Sequence, residues 1–230
     1  DDVESRGLGD VYKRQVEVLR RLTADRWDIV GAYTQPDKPK NRGMKLVPTP
    51  VKEFALTHDI PVYQPVSCRD EAVLEQLRAL EPDVIVVAAY GKLLPQALLD
   101  IPKRAIINVH SSILPQYRGA APINWAVLNG DSETGVTIQY MAAELDAGDI
   151  LHVLKTDIDP QEDAQALTAR LAELGAQALS ETVEQLRAMM NEAASKLPEY
   201  PVVMAMKGVG KSLGPPVSYT HLRAHETRRH

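Results

Sequence analysis

Ile106-Ile107-Asn108-Val109-His110 runs into Ser111-Ser112-Ile113-Leu114-Pro115-Gln116-Tyr117-Arg118-Gly119 and on through Ala120-Ala121-Pro122-Ile123. Ahead of it, Ala105-Ile106-Ile107 is a short β-prone apolar run without helical spacing, which predicts a buried strand. Side chains alternate across a strand, so Asn108 and His110 face one spot. In open α/β sheets ligands gather at the carboxyl ends of strands, where this strand delivers an amide and an imidazole. Pro115, Gly119 and Pro122 then punctuate a loop that can wall a pocket.

Leu145-Asp146-Ala147-Gly148-Asp149 follows another strand-like run, Gly135–Met141. An Asp beside a Gly is commonly a turn former, and an Asn-x-His pair at a strand end is commonly structural. On neighbouring strand ends, however, Asn108, His110 and Asp146 make a site suited to acyl chemistry.

Working outward, residues 16–23 read as the tail of an amphipathic helix and residues 28–35 as a strand. Pro36–Pro50 holds Lys38, Lys40, Arg42 and Lys45 among four prolines, and by composition alone is a solvated loop. Short helices are expected at 51–58, 71–80, 96–100 and 121–130, the last capped by Gly130. Strands are expected at 60–63, 134–141 and 150–156, the last two as antiparallel neighbours. Val84–Ala89, V-I-V-V-A-A, reads as the most buried strand of all. Residues 161–190 predict a long helix with a break at Gly175. Alternating strands and helices imply an α/β fold, a Rossmann-like, mostly parallel sheet with helices on both faces.

The chain has 230 residues, 44% hydrophobic and 25% charged, enough for one medium domain with a substantial core. A net charge of −5 means that any nucleic-acid contact must come from a local basic loop. One cysteine, Cys68, excludes an internal disulfide and a cysteine-cluster metal site, so no metal is expected. No apolar run approaches the ~20 residues of a membrane span and no signal pattern opens the chain, so a cytoplasmic monomer is expected. There is no Gly-x-Gly-x-x-Gly, and Gly208-Val209-Gly210-Lys211-Ser212 lacks the first glycine of a phosphate loop.

The segment N-V-H-S-S-I-L-P-Q-Y-R-G-A-A-P-I, followed by E-T-G-V-T-I and L-D-A-G-D-I, resembles the formyltransferases that use 10-formyltetrahydrofolate. Upstream, T-Q-P-D-K-P-K-N-R-G-M-K-L-V-P-T-P-V-K resembles the branch of that family acting on initiator methionyl-tRNA. The resemblance covers residues 16–190. It implies a formyl donor, 10-formyltetrahydrofolate, and a tRNA acceptor. It implies catalytic roles for Asn108, His110 and Asp146, with the first two as oxyanion donors and Asp146 orienting His110 and relaying a proton. It also implies folate contacts from Ser112, Ile113, Leu114, Pro115, Tyr90 and Gly91, and tRNA contacts from Lys38, Arg42 and Lys45.

Residues 1–15 read as foreign to the domain, since the family opens with a buried strand and a Gly-Thr-Pro turn that are absent before Val16. Residues 191–217 read as a divergent linker and 218–230, with three histidines, as a second foreign segment. The family's further β-barrel domain is not present either. The expectation from these ends is impaired folding and little tRNA formylation. Two other readings compete: a formyltransferase for an amino sugar or purine precursor, and an inactive folate- or RNA-binding fragment. Gln35-Pro36-Asp37 with Arg42-Gly43 favours tRNA over the first.

Overall fold

The computed structural model describes residues 14–40, 45–91 and 94–195. The expectations for Arg42, for most of residues 1–15 and for the chain beyond Ser195 lie outside the described residues. The architecture is α/β, with the expected helices threaded between strands. Helix α1, residues 14–24, buries Val18 and Leu19. Strand β1 (Ala32–Tyr33) is shorter than its apolar run predicts. Its partner β4 (Val62–Tyr63) offers only two residues in parallel register, and a ladder extends no further than its partner. Between them, α2 (Pro50–Thr57) starts where Thr49 Oγ1 accepts the Lys52 N–H at 3.2 Å and Pro50 takes the first turn.

The Pro36–Pro50 stretch carries two short strands among its described residues. Within it β2 (Lys38–Lys40) pairs antiparallel with β3 (Lys45–Val47), setting Lys40 opposite Lys45.

Helix α3 (Glu71–Ala79) leads to β5 (Val84–Ala88), α4 (Gln96–Leu99), β6 (Ala105–His110), α5 (Pro122–Leu128), β7 (Glu133–Tyr140) and β8 (Ile150–Asp157). The four strands form one sheet in the order β5-β6-β7-β8. β5 and β6 run parallel, whereas β7 and β8 enter antiparallel. All five residues of β5 are only half-buried, contrary to the expectation that it is the most buried strand. It lies at the end of the sheet, with no strand on its other side among the described residues. The buried strands are β6 and β7, where Ile107, Val136 and Ile138 are fully enclosed. At β5's carboxyl end, Gln15 Nε2 donates to the carbonyls of Ala88 (2.9 Å) and Ala89 (3.0 Å). Arg14 Nη1 donates to Ser111 Oγ at 3.0 Å.

Helix α6 (Ala164–Ser195) passes through Gly175 without the expected break. A Cβ on Gly175 would lie 3.1 Å from Val109 Cγ1 and 3.5 Å from Val136 Cγ1. Glycine lets the helix approach the sheet closely, and Leu167, Leu171, Ala172 and Leu179 bury around it. The chain divides into two units at Ser180, and the site described next belongs wholly to the first. The described part of the second is the C-terminal stretch of α6. No described helix is long and apolar enough to cross a membrane.

Candidate active site

Alternation along β6 turns Asn108 and His110 to the same side, as the sequence implies, and both reach Asp146. Asn108 Nδ2 donates to Asp146 Oδ1 at 3.0 Å. His110 Nδ1 lies 3.5 Å from Asp146 Oδ2. Two groups unannounced by the sequence complete the carboxylate's surroundings. Gln139 Nε2, from β7, donates to Oδ1 at 3.0 Å, and the Gly119 backbone N–H donates to Oδ2 at 2.8 Å. Asp146 is nine-tenths buried, and three protein donors, from Asn108, Gln139 and Gly119, meet its oxygens. Its own backbone is left-handed, at φ 47°. Gly148, two residues on, packs so tightly that a Cβ there would lie 1.9 Å from the Tyr140 carbonyl oxygen. The glycine of the Leu-Asp-Ala-Gly turn therefore serves a close backbone approach.

The other ring nitrogen of His110, Nε2, donates to the Tyr117 carbonyl oxygen at 2.9 Å. A carbonyl only accepts, so Nε2 carries the proton. A donor at Nδ1 toward Asp146 then requires the doubly protonated, cationic ring. Tyr117 sits at φ 55°, and its hydroxyl is clasped beyond the loop: it donates to Asp131 Oδ2 (2.7 Å) and accepts from Asn129 Nδ2 (2.8 Å).

The 112–115 segment divides in two. Ser112 is fully buried and its hydroxyl donates to the Gln116 carbonyl; Leu114 is buried and its N–H donates to Thr137 Oγ1 at 3.1 Å. Ile113 is half-buried and Pro115 exposed, after a cis Leu114–Pro115 peptide, so these two retain surface for a ligand. Tyr90, two residues beyond β5, is half-buried, with its hydroxyl 3.5 Å from Cys68 Sγ. Burial, then the Cys68 contact, pushes its phenol well above the ordinary value. Gly91 follows at φ 72°, open to solvent.

Lys38 is exposed on β2 and Lys45 belongs to β3. This hairpin is braced toward the Tyr90 turn through Gln35-Pro36-Asp37. Gln35 Nε2 donates to the Tyr90 carbonyl (2.9 Å). Lys52 Nζ donates to Asp37 Oδ2 (2.6 Å) and to Gln64 Oε1 (2.8 Å), and Gln64 Nε2 donates to Asp37 Oδ1 (2.6 Å). Lys52 and Gln64 together hold the Asp37 carboxyl below its ordinary range.

Among the described residues no group of three His, Cys, Asp or Glu could hold a metal. A shallow concavity bounded by Asp157, Glu162 and Arg170 lies where Glu133 pairs with Asp157, at the opposite end of β7 from Gln139. Arg170 is fully engaged there by Glu162 and the Asp157 carbonyl.

A family model described as formyl transferase matches residues 7–183. A methionyl-tRNA formyltransferase of Geobacter sulfurreducens is 52% identical over 170 residues, 74% of this chain and 54% of that protein. The protein of the same name from Clostridioides difficile is 49% identical over 170 residues, 73% of this chain and 54% of its own length. The chain thus spans about half the length of the curated relatives it matches. Among solved structures, a phosphoribosylglycinamide formyltransferase from Bacillus halodurans superposes with a TM-score of 0.62 at 24% identity, over 76% of this chain and 90% of that one. A formyltetrahydrofolate deformylase from Pseudomonas syringae gives 0.59 at 23% identity, over 74% of this chain and 56% of that one. At such identities the likeness establishes the fold alone.

Proposed function

This chain belongs to the formyl transferase family, and from that premise we propose that it carries the transfer of a formyl group from 10-formyltetrahydrofolate to the amino group of initiator methionyl-tRNA. The observation that carries the reading is the convergence of Asn108 and His110 on the buried Asp146 carboxylate at a strand's carboxyl end. The acceptor is supported by the relatives' names and by the braced basic hairpin.

In the reaction the methionyl amine forms a bond to the formyl carbon, whose carbonyl electrons move onto oxygen. The oxyanion then collapses, the bond from carbon to the folate N10 breaks, and the proton lost by the amine ends on that nitrogen. Asn108 has two N–H groups, one held by Asp146, which leaves the other for the oxyanion. The His110 Nε2–H joins it by exchanging the Tyr117 carbonyl for the substrate oxygen. Asp146 balances the ring when it becomes cationic and passes the amine proton onward through water. The donor's pterin rests against the Tyr90-Gly91 turn and the exposed part of Ile113-Leu114-Pro115, with buried Ser112 holding the loop from behind. Lys38, Arg42 and Lys45 meet the acceptor's phosphates. The reaction so described takes place in the cytoplasm, on a monomer.

In an intact version of the domain, His110→Ala and Asp146→Ala should each lower turnover by ~10²-fold or more while folate affinity changes far less. Arg42→Ala should weaken use of methionyl-tRNA, and its dependence on salt, while slow hydrolysis of the donor persists. Near-normal turnover in either alanine variant of the site would overturn the assignment. Equal transfer to a free amino sugar or a glycinamide ribonucleotide would overturn the choice of acceptor.

A further inference from the structure

Gln139 is one of the most enclosed polar side chains of the domain, 1% exposed, and nothing in the acyl-transfer scheme above uses it. It stands opposite Asn108 in the β6–β7 register. The regular pairing of β7 with β8 is interrupted at Ile138/Gln139, an irregularity that re-aims a side chain without ending the ladder. Its amide meets Asp146 Oδ1 at 3.0 Å, the same oxygen that receives Asn108. An ionised carboxylate only accepts, so the NH₂ end must face it and the amide cannot turn round. The consequence falls on the other end: Gln139 Oε1 is buried without a hydrogen-bond partner among the described residues. Leaving a buried acceptor unmet is costly, and a methionine of similar shape would avoid it. The arrangement directs the amides of both Asn108 and Gln139 at one carboxylate oxygen.

We propose that Gln139 is a positioning residue of the formyl-transfer site. With Asn108 it fixes Oδ1 of Asp146, so that Oδ2 stays turned to His110 and the Gly119 N–H. This inference rests on the reading in which Asp146 serves proton transfer. Gln139 touches no substrate; it acts through the carboxylate. Two amides on Oδ1 also explain how Asn108 can give its second N–H elsewhere without releasing Asp146.

The test compares the whole chain with its Gln139→Met, Gln139→Glu and Asp146→Ala variants, using 10-formyltetrahydrofolate and methionyl-tRNA. Gln139→Met should lower kcat roughly tenfold, the size of one lost charge-assisted hydrogen bond, with KM for the donor little changed. Gln139→Met removes the unmet acceptor and the donor to Asp146 together, so kcat and the pH profile are the deciding readouts and the melting temperature is not. Gln139→Glu sets a second carboxylate beside Asp146, with His110 the other titratable group facing it. Two adjacent carboxylates resist joint ionisation, so the acidic limb of the rate profile should move to higher pH. A merely structural glutamine would leave kcat and the pH profile unchanged whatever the melting temperature does, and that result overturns the proposal. Loss of transfer in Asp146→Ala with full kcat in Gln139→Met sinks this inference alone. A parent chain that melts cooperatively and is still no faster than Asp146→Ala sinks the reading beneath it as well.

Discussion

The carbonyl oxygen of Tyr117 lies 2.9 Å from Nε2 of His110, so a loop residue in the left-handed region sets which nitrogen of the ring bears the proton. The loop is in turn fixed by the Tyr117 hydroxyl, between the Asp131 carboxylate and the Asn129 amide. Tyr117→Phe keeps the ring and removes both bonds. Hydrogen bonds to charged groups contribute about 1.5–3 kcal/mol when well enclosed, and this one is partly solvated, so a loss of about 1–2 kcal/mol is expected. In a domain of this size that lowers the melting temperature by roughly 2–8 °C. Transfer should fall further than stability at the assay temperature explains, because His110 loses its fixed partner. Full activity in Tyr117→Phe would show that the clasp does not position the ring.

Gly148→Ala should be among the most damaging single-methyl additions in the chain. The new Cβ meets backbone atoms of Tyr140, which cannot rotate away as a side chain could. Overpacking of this kind costs about 1–3 kcal/mol. The strain falls on the turn that presents Asp146, so donor turnover should drop with the melting temperature. Gly130→Ala is a fitting control: nothing lies within 4 Å of its Cβ, and only its φ of 67° opposes the change. A Gly148→Ala protein as stable as that control would contradict the close approach.

The Lys52–Asp37 pair gives a pH-dependent signature. The Asp37 carboxyl is held below its ordinary value of 3.8, first by Lys52 and then by Gln64. A carboxyl lowered in the folded state binds protons more readily in the unfolded one. Its contribution is therefore present above the ordinary value and lost as pH falls through the lowered one. Lys52→Met should narrow the difference in melting temperature between neutral and acidic buffer relative to the parent. It should also weaken use of methionyl-tRNA, since Lys52 braces the strand pair that carries Lys38 and Lys45. A parent and variant with parallel stability profiles down to pH ~3 would refute the linkage.

At the alkaline end the order reverses. Burial pushes the Tyr33 phenol up to about 12, and Tyr90 higher still. A raised phenol contributes stability that is complete below its ordinary value and lost as pH rises through the folded one. At about pH 10.5, half or more of an ordinary tyrosine is ionised. Tyr33 and Tyr90 should still be neutral there, titrating only at higher pH or on unfolding. Ultraviolet titration of native against urea-unfolded chain would measure this. Eight tyrosines ionising together in the native protein would rule out the enclosed pair.

Asn108 and His110 were legible because a strand repeats every two residues and both stand on one run. The turn at Leu145–Gly148 marked where Asp146 would lie, and the structure brings it beside both. Gln139 was not: one amide in an alternating strand looks like any surface position, and only its place opposite Asn108 gives it meaning. The Gly119 N–H and the Tyr117 carbonyl are backbone groups, which no residue type advertises. The antiparallel entry of β7 was hidden for a similar reason. A strand–helix–strand order suggests a parallel neighbour, but here residues 111–121 turn the chain before α5 begins. Gly175 misled in the other direction, since a glycine chosen for close packing reads, in one dimension, like a helix break.

The donors around Asp146 come from β6, the loop before α5, and β7, as far as 38 positions away along the chain. None of them can engage until the β6–β7 pairing has formed and the loop has closed over it. The carboxylate's full set of donors is thus complete only when strand pairing and loop are both in place. The Gly119 amide makes that observable: it sits on a half-buried loop, yet its hydrogen is held by a buried anion. In hydrogen exchange it should be protected like the sheet and not like its loop neighbours, and should lose that protection at lower denaturant than Ile107 or Val136.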